Sequence, residues 1–190
     1  MTYRRPASPF PPGPSLLGTR GVTLFELLIV IIMIGILSAI AMSRLDWKRY
    51  QADASARGAM AELATAQRLA LSLGSNVRVT IPDSGRMQIL EDANNDGSAS
   101  AGERLRTVPL DNGFAYGQGT AGDIPSPDDG TALTDITFHR DGSADKAGTF
   151  YIHGPGYDPN CQHCRAIAVA RATGRVVWYA YGSGAWKRAN

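Results

Sequence analysis

The chain is poor in the groups from which most catalytic and metal centres are built. Its 190 residues hold two cysteines, Cys161 and Cys164, and three histidines, His139, His153 and His163. Cys161-Gln162-His163-Cys164 has no second Cys-x-x-Cys to complete four zinc ligands, and no Cys-x-x-Cys-His for haem. His139 and His153 fall on expected strands without a third partner, and no nucleophile motif is present, so the sequence does not support an enzyme. Internal repeats are absent. Acid is missing from the first 21 residues, which carry Arg4, Arg5 and Arg20, and again from Cys161 onward, where Arg165, Arg171, Arg175, Lys187 and Arg188 stand. Proline is missing between Val22 and Leu73, whereas Pro6, Pro9, Pro11, Pro12 and Pro14 crowd the N-terminus and forbid a helix there.

What is abundant is one apolar run. From Leu27 to Met42 only Gly35 and Ser38 interrupt it, and counted from Val22 it is 21 residues long, against the ~20 a helix needs to cross a bilayer. Its ten Leu, Ile and Val side chains contribute about −0.3 to −0.6 kcal/mol each on insertion, which outweighs one acid near the end. The N-terminal arginines predict a cytoplasmic N-terminus, with the rest of the chain across the membrane. The run is too long for an ordinary secretory signal, and no small-residue cleavage site follows it. Glu26 is the anomaly, since a plain anchor has no use for a carboxylate in this position. It implies that the segment later pairs with something inside an apolar assembly.

Gly21-Val22-Thr23-Leu24-Phe25-Glu26, followed by Leu-Leu-Ile-Val, resembles the class III signal of type IV prepilins and type II secretion pseudopilins. The resemblance implies that prepilin peptidase, a membrane aspartic peptidase, cuts between Gly21 and Val22 and methylates the new N-terminus. Val22 stands where Phe is more usual. It also implies assembly with other pilins or pseudopilins through the N-terminal helix. The freed α-amine would meet the Glu26 carboxylate of a neighbour, a directional pair in low dielectric that sets register more than it adds stability. Gly35, Ser38, Ala39 and Ala41 are small enough to let helices approach.

Loss of the leader removes three of the 19 Lys and Arg, leaving 16 against 17 acids, so the net side-chain charge of +2 becomes −1. Bulk charge then gives no support for nucleic-acid binding. Charge is segregated: Glu91 to Asp145 holds eleven acids against Arg104, Arg106 and Arg140.

Beyond the membrane the helix is expected to continue unbroken to Leu73, about 78 Å from Val22 at 1.5 Å per residue. Ala56, Met60, Leu63, Ala66, Ala70 and Leu73 form its apolar stripe, and Gly74 its C-cap. From there the period becomes two. Strands are expected at Val77 to Ile81, Met87 to Leu90, Arg104 to Leu110, Phe114 to Tyr116, Ile136 to Phe138, Phe150 to Ile152, Ala166 to Ala170 and Val176 to Ala180. Residues 117 to 134 read as a long surface loop. The organisation is therefore a leader at 1–21, a transmembrane and assembly helix at 22–42, its continuation at 43–74, and a β-rich domain at 75–190. The fold class is α+β, one long helix packed on an antiparallel sheet. Ile136-Thr137-Phe138 with Gly142, the strand ending Ala170-Arg171-Ala172-Thr173, and Gly174-Arg175-Val176 look like the GspH/FimT branch of the pilin-like family.

Three further patterns concern binding. Asp92, Asn94, Asp96, Ser98, Ser100 and Glu103, with Gly97 sixth, match the ligand positions of a twelve-residue calcium loop, and alternate oxygens with a distal Glu suit Ca2+. Ala99 replaces the usual bulky eighth residue, and the same composition makes metal-free hairpin turns. Cys161 and Cys164 face an oxidising compartment on this topology and read as a disulfide pinning a loop; a redox pair and half a zinc site are the other readings. Arg171, Arg175, Lys187 and Arg188 interleave with Trp178, Tyr179, Tyr181 and Trp186, a pattern that suits DNA phosphates and bases or a solvated hairpin. DNA-uptake members of the FimT-like group carry Gly-Arg-x-Arg here; this chain has Gly174-Arg175-Val176-Val177 and lacks the second arginine. The reading that results is a GspH-like minor pseudopilin of the bacterial inner membrane, its C-terminal domain periplasmic. A FimT-like minor type IV pilin acting in pilus assembly or DNA uptake, and a membrane-anchored periplasmic binding domain, are the alternatives.

Overall fold

A computed structural model describes residues 21–42, 46–125, 130–156 and 158–189 of the chain, with side chains at 41 and 42 excepted. The leader expected at 1–21 falls outside these residues except for Gly21. The chain divides into two units, Met1–Leu45 and Asp46–Asn190.

In the first unit, helix α1 runs Leu24–Met42. It is apolar on every side, and its described large apolar side chains are all exposed, from 42% at Ile29 to 83% at Leu24. Among the described residues no helix is long and apolar enough to cross a membrane. The 19 residues of α1 rise about 28 Å, just under the ~30 Å hydrocarbon core.

The second unit opens with its own helix start. Helix α2 runs Trp47–Leu73, and Asp46 is its N-cap, its side chain accepting the Arg49 amide at 3.1 Å. Its start differs from the single helix expected from Val22 to Leu73: a capping acid satisfies the orphan amides of a new first turn. The far end closes as expected, with Gly74 at φ 67° donating its amide to Ala70. The buried face of α2 is Ala52, Ser55, Ala56, Ala59, Leu63, Ala66 and Ala70. Of the expected stripe, Met60 is only half-buried and Leu73 is exposed.

Two antiparallel sheets replace the single sheet expected. The first comprises β1 (Asn76–Asp83), β2 (Arg86–Asp92), β3 (Arg104–Pro109) and β5 (Asp135–Phe138), in the order β3-β2-β1-β5. The second comprises β4 (Ala115–Tyr116), β6 (Gly148–His153), β7 (Arg165–Val169), β8 (Val176–Gly182) and β9 (Ala185–Arg188), in the order β4-β6-β7-β8-β9. The split arises because β5 pairs back onto β1, with Ile136 opposite Val79 and Phe138 opposite Val77, so the chain must leave that sheet before β6. Strand β9 was not expected. It returns through Ser183 and Gly184, at φ 55° and 77°, the primed geometry that closes a two-residue hairpin.

Helix α2 packs against both sheets. Val77, Val79, Met87, Ile89, Ile136 and Phe138 of the first sheet and Phe150, Ile152, Ile167, Val169, Val176 and Trp178 of the second meet its alanine face in one core. The outer face of the second sheet is covered by the segment after β4, which the sequence presents as a surface loop. Ala121 and Ile124 are buried, Trp186 Nε1 donates to Gly122 O at 2.7 Å, and Tyr151 donates to Gly130 O at 2.8 Å.

At its turn the β7–β8 hairpin is tied to α2 by Gln67. Gln67 Nε2 donates to Gly142 O at 2.8 Å and to Thr173 O at 2.7 Å. Gly174, at φ 59°, leaves no room for a Cβ, which would collide with Gly142 O and Gln67 Nε2. Gly174→Ala is therefore expected to lower the stability of residues 46–190 by more than about 2 kcal/mol in urea denaturation, through positive φ and overlap together. A change under about 0.5 kcal/mol would show that the turn is not pinned.

Candidate functional site

The N-terminal segment is built around Thr23. Its Oγ1 accepts the Glu26 amide at 3.2 Å, and its carbonyl accepts the Leu27 amide at 3.1 Å, so Thr23 caps α1 and Glu26 occupies the third helical position. A carboxylate there also complements the positive end of the helix dipole. This local role for Glu26 is written in the spacing Thr-x-x-Glu, although the apolar context draws attention away from it. Gly21 and Val22 precede the helix and are exposed. Among the described residues the exposed Glu26 carboxylate makes no ion pair or hydrogen bond, while its backbone is fixed.

The calcium-type loop connects β2 to β3, flanked by strands and not by helices. One ligand atom from each of Asp92, Asp96 and Glu103 lies within 4.8 Å of the others. Gly97 in the sixth position adopts φ 74°, the sharp turn such a loop requires. Six loop amides are already satisfied by these carboxylates. Asp92, which is buried, accepts from Asp96 and Gly97 at 3.1 and 2.8 Å; Asp96 accepts from Ser98 at 2.7 Å; Glu103 accepts from Ala93, Asn94 and Ser100 at 3.0 to 3.3 Å. Asn94 Nδ2 donates to Asp96 Oδ2 at 2.8 Å and to Ser100 Oγ at 3.1 Å. The donor set is all oxygen and suits a hard cation. The same bonds close a hairpin loop without one, and an ion would have to displace the Asn94 amino group from Asp96. The Ser98 side chain is exposed and makes no hydrogen bond among the described residues. Arg78 Nη1 donates to Gly97 O at 2.8 Å, which ties the loop back across the first sheet.

Cys161 and Cys164 are joined by a disulfide, Cα–Cα 5.0 Å, and both are buried. The loop they close is organised by Asp158, which accepts the His163 amide and faces its Nδ1, each at 3.3 Å. His163 Nε2 lies 3.7 Å from Asp46 Oδ1, the cap of α2. His139 sits elsewhere, against Asn76 Oδ1, and His153 Nδ1 faces Gly154 O, although the His153 Cβ lies beside the disulfide: a Cβ placed on Gly119 would be 3.2 Å from it and from both sulfurs. Arg165 is the group the sequence did not single out as structural. It is 1% exposed, donates to Asp53 Oδ1 of α2 at 2.7 Å, and uses Nη1 to bind the carbonyls of Cys164 and Gln162. Its alternation with Ile167 and Val169 marks it as inward-facing.

The basic and aromatic residues near the C-terminus are not one surface. Arg171 and Arg175 are exposed on the β7–β8 turn. Arg140, on the turn after β5, belongs to the same end, because the Ala144 amide binds Arg171 O at 2.8 Å. Lys187 and Arg188 are adjacent on β9 and so point to opposite faces of the sheet. Trp178 is 8% exposed and lies under the Arg57 guanidinium at 5.8 Å, so it offers no face to a base. Trp186 packs edge-on to Tyr181 at 5.1 Å and tilted to Tyr151 at 5.8 Å.

Residues 55–174 match the family described as type II transport protein GspH. Among solved structures, the chain is similar to the crystal structure of the type IV minor pilin FimU from Pseudomonas aeruginosa strain PAO1. The two share 18% identity over 73% of this chain and 94% of that chain, with a TM-score of 0.50. No curated protein matches the chain.

Two measurements separate the uses of the 92–103 loop. Glu103→Ala is expected to speed hydrogen exchange at the Ala93, Asn94 and Ser100 amides while leaving Val77 and Val79 unchanged. A calorimetric titration with millimolar Ca2+ then tells an ion site, whose heat the substitution abolishes, from a self-closed hairpin, which gives none. In wild type the Ser100 amide, foremost among its donors, holds the Glu103 carboxyl below the usual range. Its contribution to loop order is therefore present above the ordinary carboxylate value of ~4.3 and disappears as pH falls through the lowered one. Exchange at those three amides should accelerate only in that acid window.

Proposed function

The chain belongs to the type II transport protein GspH family, and on that premise we propose that it is a minor pseudopilin of a type II protein secretion system. The observation that carries the reading is the family match across residues 55–174, joined to a separate N-terminal helix that is apolar on all sides. A helix of that kind buries nothing of its own and needs lipid or neighbouring helices around it. In the proposed cycle, the apolar stretch from Val22 to Met42, which adds two residues to α1, holds the precursor in the inner membrane with residues 46–190 on the periplasmic side. Prepilin peptidase removes residues 1–21 and methylates Val22. The new amine then meets the Glu26 carboxylate of an adjacent subunit as helices leave lipid for the filament, and the charge of each is neutralised by the other.

The alternative is a minor type IV pilin. The similar crystal structure is that of a type IV minor pilin, but at 18% identity it speaks to fold alone. DNA contact belongs to this alternative. Of the residues concerned, Arg171 and Arg175 share the exposed hairpin end, while Lys187 and Arg188 diverge.

Mass spectrometry of the protein from cells that express the peptidase is expected to find an N-terminus at methylated Val22; any other mature N-terminus refutes the processing scheme. Glu26→Gln keeps the helix start and removes the charge. It should be processed normally yet enter filaments at least tenfold less, and undiminished incorporation would remove the register role. Deleting the gene is expected to retain exported proteins in the periplasm while surface pili persist. The converse phenotype favours the pilus alternative.

A further inference from the structure

The start of α2 carries two large aromatic side chains that the domain does not use. Trp47 is 67% exposed and Tyr50 60% exposed. Three residues apart, they share one side of the helix, opposite the buried Ala52, Ser55, Ala56 and Ala59. Lys48 and Arg49 beside them are exposed as well. Large aromatics set among cations give a globular core nothing when left in water, but they fit the boundary between hydrocarbon and water. There the rings lie among headgroups and the long cationic side chains reach the phosphates.

Position along the chain selects this occupant. Only residues 43–46 separate Trp47 from Met42, the last residue of α1. Whatever path those residues take, five steps of extended chain reach at most about 18 Å. The headgroup layer is about 5–8 Å deep on each side of a ~30 Å core. If 22–42 spans the bilayer, Trp47 is thus tethered within reach of the layer where Trp and Tyr collect.

We propose that Trp47 and Tyr50, with Lys48 and Arg49, form an interfacial anchor that seats the first turn of α2 in the headgroup layer while the subunit waits in the membrane. This rests on the membrane reading of residues 22–42. Within the domain, the disulfide loop, linked to the α2 cap through His163 and Asp46, lies at the same end of α2 as the anchor. The hairpin held by Gln67 lies about 30 Å further along α2, from Trp47 to Gln67 at 1.5 Å per residue.

The test places the full chain in phosphatidylcholine vesicles whose acyl chains are brominated near the headgroup and compares its tryptophan emission with that of Trp47→Phe. Trp47 is exposed, so the substitution leaves the core intact. The expected result is a bromine-quenched component in the wild type, protected from aqueous iodide, that disappears in Trp47→Phe. The emission of Trp178 and Trp186 should remain unquenched in both. An inserted chain whose Trp47 emission is quenched by iodide and not by bromolipid overturns the anchor alone. So does shielding of Trp47 that develops only on assembly into filaments, which would assign the pair to a neighbouring subunit. A chain that alkaline carbonate strips from the vesicles overturns the membrane reading and the anchor with it.

Discussion

The close seat of α2 on two sheets is the constraint from which the rest of the domain follows. Five of the seven buried residues on its inner face are alanine, with Ser55 and Leu63 completing the set. Short side chains bring the helix backbone near both sheets, and the core between them is filled by larger groups from the strands, Phe138, Phe150, Ile167 and Met87 among them. Only at that separation do the polar side chains flanking the alanine stripe reach across. Asp53 meets Arg165, Glu62 meets Arg106, and Gln67 spans two turns. A larger residue at Ala59 or Ala66 would push the helix outward and weaken these contacts together.

The distribution of charge takes on a physical sense in this frame. The acids concentrated between Glu91 and Asp145 are not simply an exposed acidic face. Asp92, Asp96 and Glu103 spend their oxygens on the amides of their own loop, and Asp135 receives Lys146 and Arg78. The bases after Cys161 divide by depth. Arg165 is internal and neutralised, while Arg171 and Arg175 face solvent at a turn. Segregation along the chain is thus partly undone in space, and what remains positive is a small hairpin end joined by Arg140, and Lys187 and Arg188 on β9.

Much of this was legible from residue order, and the misses share a cause. The apolar segment, the alternating strands, Gly74 as a stop and the loop at 92–103 are local signals that need no partner to be read. The Asp46 cap is local too, but the absence of proline from Val22 to Leu73 favoured continuity over a fresh start. Strand β9 hid behind Gly182-Ser183-Gly184, whose turn geometry is visible only once both central residues take positive φ. The division into two sheets depends on β5 choosing β1, a pairing between residues nearly 60 positions apart that no short window contains. In the site, sequence spacing identified the cysteine loop and missed its anchor, because Arg165 looks like one more surface base until its alternation with Ile167 and Val169 is taken seriously.

Asp46 gives the chain a seam. A helix that carries its own first-turn acceptor does not borrow its register from whatever precedes it, so sequence drift in the apolar segment need not propagate into the domain. The two units are free to change under separate selection, one by hydrocarbon and helix neighbours, the other by its own core. In engineering terms, residue 46 is the natural point at which to cut, transplant or re-tether the globular part.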